Sequence, residues 1–354
     1  MLFFFPNKRT ICRKIGNFGA EREKSNYMPL KHTHKIAVIG IGQVGSSVCY
    51  GLINQGICDE LVLVDRYNEA KAQGEAMDLR HSIEYMSRNM KVYAGDYSDC
   101  GDADIAIFTL GTSQASLKKD ERGLVVRSSS LEAACKMIKP VVKNLMDSGF
   151  DGYIVSVTNP LDTITRLIWK LSGLPSNQVI GTGTALDSAR LKLFLGELMS
   201  VDPHNINAYV IGEHGPSQFV PWSIASVGGK SMEQIKADNP QLFVNVTYDD
   251  IQERVHSAGP QVVNLKGYTS CGIASAAIAI ARAILFNENR VIPVCTNLDG
   301  HFGFSDVFTS VPAIIDSDGV REIIDLHLTP EEMEQFRHTV DVIKAQDAEA
   351  TKFV

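Results

Sequence analysis

From Lys35 onward the chain alternates short apolar runs with longer stretches whose apolar residues recur at helical spacing. That alternation is the pattern of strands buried on both faces and joined by amphipathic helices. Strand runs fall at 36–39, 61–64, 91–94, 105–109, 153–157 and 179–180. Six strands with helices between them predict an α/β fold built on a doubly wound parallel sheet. The remainder is less regular and predicts an α+β domain. It includes an apolar, Ala-rich helix over 274–286, continuous enough for burial between lobes or subunits. A last helix opens at Thr329 as N-cap, with Pro330 in its first turn and Glu332 placed for a capping box. Its buried stripe is Met333, Phe336, Val340 and Ile343. The expected division is a leader at 1–34, a first domain at 35–181 and a second at 182–354.

Composition narrows the possible partners. The 354 residues carry a formal charge of −7, which gives no electrostatic reason to expect nucleic acid or an anionic membrane. No run approaches the ~20 apolar residues of a spanning helix. Seven cysteines, scattered and without a C-x-x-C pair, suit free thiols in a reducing compartment, here the cytoplasm, and no metal site is expected. Residues 1–34 differ from the rest: a four-residue apolar start is too short for a signal peptide, and basic residues follow it. A disordered leader is expected there, with Met28 opening the approach to the first strand. A homo-oligomer is expected, a tetramer in preference to a dimer.

The first strand run leads directly into Gly40-Ile41-Gly42-Gln43-Val44-Gly45, a G-x-G-x-x-G opening a helix with Val44, Val48, Leu52 and Ile53 on its apolar side. The first glycine permits the tight turn, the second lets main chain approach a pyrophosphate, and the third lets helix pack on strand. The second run ends in Asp65, twenty residues after Gly45. A carboxylate there accepts from ribose hydroxyls and repels a 2′-phosphate, selecting NAD over NADP; the neighbouring Arg66 works against that selection. A Rossmann fold with NAD as cofactor follows. Strand ends at Thr109-Leu110-Gly111, Thr158-Asn159-Pro160 and Gly181-Thr182-Gly183-Thr184 lie where such sheets bind ligands.

Candidate chemistry sits further on. In Ile211-Gly212-Glu213-His214-Gly215 an apolar run breaks at a glycine and places one histidine, of nine, in a turn open to a substrate. Asp187 and Arg190 are three residues apart, on one helix face. They form either an ordinary surface ion pair or a functional set, with Asp187 reaching the His214 ring and Arg190 a substrate carboxylate. The polar stretch between Gly111 and Gly123 follows a strand end, as lids do, though a solvated charge run reads the same way.

Taken together these motifs resemble the NAD-dependent L-2-hydroxy-acid dehydrogenases of the lactate/malate dehydrogenase family. The resemblance runs from Lys35 to the C-terminus, through the glycine motif, Met77-Asp78-Leu79-Arg80-His81, Val157-Thr158-Asn159-Pro160, Leu186-Asp187-Ser188-Ala189-Arg190, the histidine turn and Lys266-Gly267-Tyr268-Thr269-Ser270. Within the family the chain looks closest to L-2-hydroxyisocaproate dehydrogenases, in Thr109-Leu110-Gly111, in the long loop before Arg122 and in the segment from Gly215 to Ser223.

The resemblance implies roles. His214 would donate a proton to the 2-oxo oxygen as hydride arrives and remove it in reverse, and Asp187 would orient the ring. Arg190 would anchor the substrate carboxylate, and Arg122 would stabilise charge on the reacting oxygen. Asn159, with a cis bond expected to Pro160, would bond near that oxygen. Gly40, Gly42, Gln43, Val44, Gly45, Asp65, Thr109, Gly111, Asn159 and Ile273 would bind NAD. Gln114 and Thr269 would border the substrate. Gln114 stands where malate enzymes carry an arginine, and the loop holds a two-residue insertion relative to lactate dehydrogenases. The expected substrate is therefore a 2-oxo monocarboxylic acid with a medium apolar side chain, such as 2-oxoisocaproate, made into the L-2-hydroxy acid. Alternatives are an L-lactate dehydrogenase acting on pyruvate, a malate dehydrogenase and a non-catalytic NAD-binding regulator. Lys192 and Asn207 replace the arginine and histidine of bacterial enzymes activated by fructose 1,6-bisphosphate, which argues against that control. Pro216 replaces the Asp or Asn common after the second glycine, stiffening the turn beside His214.

Overall fold

The apolar run that begins at Lys35 becomes strand β1 (Lys35–Ile39), every residue of it buried. A computed structural model of the chain describes residues 33–111 and 127–353. Of the expected leader only Thr33 and His34 fall among these, and the His34 N–H donates to Asp59. After β1 come α1 (Gln43–Gln55), β2 (Glu60–Val64), α2 (Glu69–Ser82), β3 (Lys91–Ala94), β4 (Ile105–Phe108), α3 (Arg127–Asp147), β5 (Tyr153–Ser156), α4 (Leu161–Ser172) and β6 (Val179–Gly181). These six strands are the expected ones, and their pairings are all parallel.

Then follow α5 (Ala185–Met199), the short strands β7 (Ile206–Asn207), β8 (Ser226–Val227) and β9 (Lys230–Ser231), α6 (Met232–Asp238), α7 (Tyr248–Lys266) and α8 (Cys271–Leu285). The chain closes with β10 (Arg290–Asn297), β11 (Phe308–Asp316), β12 (Gly319–Ile323) and α9 (Pro330–Ala350). The large sheet runs β12-β11-β10-β6-β5-β4-β1-β2-β3, and β7, β8 and β9 make a small antiparallel one. In the parallel part the connections reverse direction between β1 and β4. The crevice at such a switch point, outside the carboxyl ends of the strands, is where doubly wound sheets take ligands. Beyond β6 the sheet turns antiparallel.

Period-two burial explains how helices cover both faces. On β1, Ile36 and Val38 join one apolar cluster with α1 and α8 residues such as Val48, Leu52 and Ile278. Ala37 and Ile39 point the other way, into a cluster with Leu131, Ile138 and Ile164 of α3 and α4. Leu191 and Leu195 of α5 pack with Ile251 and Val255 of α7 in a third, which carries α7 beside the site described below. At α9 the capping box between Thr329 and Glu332 is complete. Phe336, Val340 and Ile343 are fully buried there, while Met333 is half-buried. Among the described residues no helix is long and apolar enough to cross a membrane.

Candidate active site

The turn after β1 is shaped by main chain. Gly40 has φ +98°, where a side chain is strained. A Cβ on Gly45 would lie 2.0 Å from the Gly40 carbonyl oxygen, so α1 approaches the turn this closely only with glycine there. Thr109 Oγ1 donates to that same carbonyl at 2.6 Å, backing the turn from the end of β4. Gly42 is the N-cap of α1 and offers no capping side chain; a Cβ there would meet nothing within 4 Å. The first N–H groups of α1, Gln43 among them, thus face open space with a favourable dipole, which fits a pyrophosphate. Asp65 is committed to the main chain: Oδ2 accepts from Ile41 N–H at 2.8 Å, and Oδ1 from the Tyr67 and Asn68 N–H groups. It locks the glycine turn to the end of β2, and Oδ2, which accepts only one of these bonds, retains a lone pair for a ribose hydroxyl.

From this turn a cavity of about 1000 Å³ leads toward α5 and α7. Val44, Thr109, Gly111, Asn159, Asp187, Arg190, His214, Thr269 and Ile273 all line it, so the structure gathers these residues from six separate stretches of sequence. Gln114 and Arg122 lie outside the described residues. The Asn159–Pro160 bond is cis, and Pro160 caps α4.

The chemistry concentrates on α5. Asp187 is buried in the first turn of α5, where the helix dipole favours a carboxylate. Its Oδ2 lies 2.8 Å from His214 Nδ1, and its Oδ1 accepts from Arg190 Nη1 at 2.8 Å. The surface ion pair and the functional set were alternatives in the sequence. In the structure one buried carboxylate bridges guanidinium and imidazole. Alignment comes from either side of Asp187: Thr184 Oγ1 donates to the Val210 carbonyl at 2.6 Å, and Ser188 Oγ accepts from Val210 N–H at 2.8 Å. Helix α5 thereby grips the segment leading into the histidine turn.

Burial works against charge on both partners, yet their mutual hydrogen bond and attraction prevail. Asp187 is held below its ordinary range by His214 and Arg190. His214 is raised above 6.5 by Asp187 and, more weakly, by Asp162. With Nδ1 committed to Asp187, the other ring nitrogen is left for a substrate. The His214 side chain keeps 27% of its surface exposed. Pro216 costs the turn nothing, because its hydrogen bonds come from Gly215, Ser217 and Gln218 N–H groups. Four residues here were not singled out from the sequence. Gln218, Glu253 and His256 line the cavity, and Asp162 receives the His214 N–H at 2.8 Å. The position of Asp162 in the Asn-Pro-Leu-Asp stretch was the only available signal.

Comparison with known proteins agrees with this geometry. The model for the NAD-binding domain of lactate/malate dehydrogenases matches residues 34–181, and that for the α/β C-terminal domain of the same enzymes matches residues 184–354. The chain belongs to the lactate/malate dehydrogenase family. As a member of this family it is an NAD-dependent 2-hydroxy-acid dehydrogenase. It is 46% identical over 314 residues to L-lactate dehydrogenase 3 of Bacillus thuringiensis subsp. konkukian, covering 89% of this chain and 97% of that relative. With L-lactate dehydrogenase 1 of Bifidobacterium longum the identity is 42% over 317 residues, covering 90% and 98%. Among solved structures, the ligands-bound minor L-lactate dehydrogenase of Enterococcus mundtii superposes with a TM-score of 0.84. It is 37% identical, over 89% of this chain and 98% of that one. Nothing in these likenesses is specific to hydroxyisocaproate dehydrogenases.

Proposed function

We propose that this family member is an L-lactate dehydrogenase that reduces pyruvate and, in reverse, oxidises L-lactate, with His214 as proton donor and acceptor. The observation that carries the chemistry is the Arg190–Asp187–His214 chain on the wall of the NAD-side cavity. The names of the relatives favour pyruvate over a larger acid. Bound NAD supplies or accepts the hydride. Arg190 keeps guanidinium N–H groups beyond the one given to Asp187, and these hold the substrate carboxylate. The protonated ring then donates to the 2-oxo oxygen as negative charge develops on it, and Asp187 stabilises the imidazolium beforehand. Asn159 and Thr269 border the substrate from the cavity wall. The family resemblance gives Arg122 the task of stabilising charge on the reacting oxygen and places Gln114 at the substrate, both outside the described residues.

A second reading, a 2-oxo acid with a medium apolar side chain such as 2-oxoisocaproate, has one observation in its favour. Gly259 lines the cavity without a side chain, beside the Arg190 guanidinium. NADH oxidation with pyruvate, 2-oxoisocaproate, phenylpyruvate and oxaloacetate separates the readings. Pyruvate is expected to give the highest kcat/KM. A preference for 2-oxoisocaproate would select the second reading, a preference for oxaloacetate a malate enzyme, and no turnover a regulator. We propose residues 35–181 as the NAD-binding domain, which also lends Asn159 to the substrate, and 182–354 as the catalytic and substrate domain. We further propose a homo-oligomer, a tetramer before a dimer, in the cytoplasm. Supporting this are exposed apolar side chains such as Tyr85 and Leu265 and six free cysteines among the described residues.

A further inference from the structure

Charge on the cavity wall is unevenly used. Among the described residues that line the cavity, the ionisable side chains are Asp187, Arg190, His214, Glu253 and His256. The first three form one chain, in which the carboxylate faces a cation on either side. His256 gives its Nε2–H to the Gln218 carbonyl at 3.3 Å, a bond that a neutral ring supplies. Glu253 is different. It is exposed, and among the described residues no hydrogen bond or ion pair engages its carboxylate. The adjacent cation, Arg254, is turned to Glu197 of α5 at 2.8 Å and lies over the Phe194 ring.

Helical spacing puts that charge on the cavity side. Glu253, His256, Gly259, Pro260 and Val263 recur every three or four residues along α7 and all line the cavity. Ile251 and Val255 lie on its buried face. Gly259 stands beside the Arg190 guanidinium, so Glu253, six residues earlier, is displaced from it by about 9 Å along the helix axis. Over such a distance a carboxylate acts on a ligand through its field, without contact.

We propose that Glu253 is a specificity residue: its negative field disfavours a 2-oxo acid that carries a second carboxylate. This rests on Arg190 anchoring the first carboxylate of the substrate. With Arg190 so occupied and the His214 ring serving the reacting oxygen, no other arginine or lysine among the described residues lines the cavity. A distal carboxylate therefore enters uncompensated and meets the free charge of Glu253. Protein walls of low dielectric focus such a field into the cavity. A monocarboxylate feels the repulsion through one charge and a dicarboxylate through two, so Glu253 acts on the ratio between them. Rejection of the wrong substrate by like charge needs no added contact with the right one.

The readout is kcat/KM for oxaloacetate divided by kcat/KM for pyruvate, at saturating NADH. Glu253→Gln keeps the size and removes the charge, and the ratio should rise about threefold. Glu253→Lys reverses the charge and should square that factor, to about tenfold. Glu253→Asp retains the charge and should keep the wild-type ratio. Raising the ionic strength from about 0.05 to about 0.5 M screens an exposed charge. The wild-type ratio should then rise, and that of Glu253→Gln should move less. An unchanged ratio in Glu253→Lys overturns the proposal, and so does a rise in Glu253→Asp equal to that in Glu253→Gln, which would mark a steric role. Should the variants fail to fold, the wild-type protein decides, and a ratio that ignores salt refutes the field. Failure of the pyruvate reading is seen separately, as a wild-type ratio above one. The change on substitution at Glu253 is read whichever acid the wild type prefers.

Discussion

In the turn after β1, three glycines within six residues shape the main chain, and contacts within the fold's first strands complete it. Around His214 the residues of the turn do not suffice. Asp162, Asp187 and Thr339 reach in from three helices, and Ser310 from a strand. The first turn must leave room for a ligand that brings its own chemistry, so it is built by omitting side chains. The second must hold a ring at a set charge and angle, so it is built by adding partners. Omission is local, whereas addition depends on the whole fold.

Replacing the ring itself tests the second turn most severely. His214→Asn removes the proton donor, and kcat should fall by roughly 10²–10⁴ with NADH binding unchanged in a fluorescence titration. Retained turnover would show that the partners hold a residue without a chemical task. In the glycine turn two substitutions of the same size should part company. At Gly45 a methyl group meets the Gly40 carbonyl, so Gly45→Ala must displace α1, destabilising the fold by about 1–3 kcal/mol as read by thermal unfolding. At Gly42 the methyl meets nothing, so Gly42→Ala should leave the melting temperature in place and weaken NADH by about tenfold, roughly 1.4 kcal/mol. If both substitutions acted alike, the turn would be packing rather than a cradle.

The same contrast explains what was legible in the sequence. The six parallel strands, the glycine motif and the capping box at Thr329 each announce themselves within a few residues, because periodicity and φ requirements are local. The Asp187–Arg190 pair left two readings open because spacing on a helix does not say which face is buried. Asp162 was missed for a similar reason: an acid in a helix's first turn ordinarily serves the helix dipole. Its contact with the His214 main chain appears only when a chain segment fifty-two residues away is folded against it. Substrate choice was the least legible feature. Gln114 argued against a dicarboxylic substrate and the inserted loop for a larger side chain, while the likeness to L-lactate dehydrogenases favours pyruvate.

The central claim is that one ring, held by Asp187, carries the proton in both directions. Because its raised pKa favours the protonated form, reduction should keep its full kcat/KM at low pH and lose it as pH rises through a value above 6.5. Oxidation should be the mirror image, gaining over the same interval, since it needs the neutral ring. Measuring kcat/KM against pH in both directions on the free enzyme tests this directly. Opposite limbs meeting at one shared inflection above 6.5 are predicted; limbs that run in parallel, or inflections at unrelated pH values, would contradict the account.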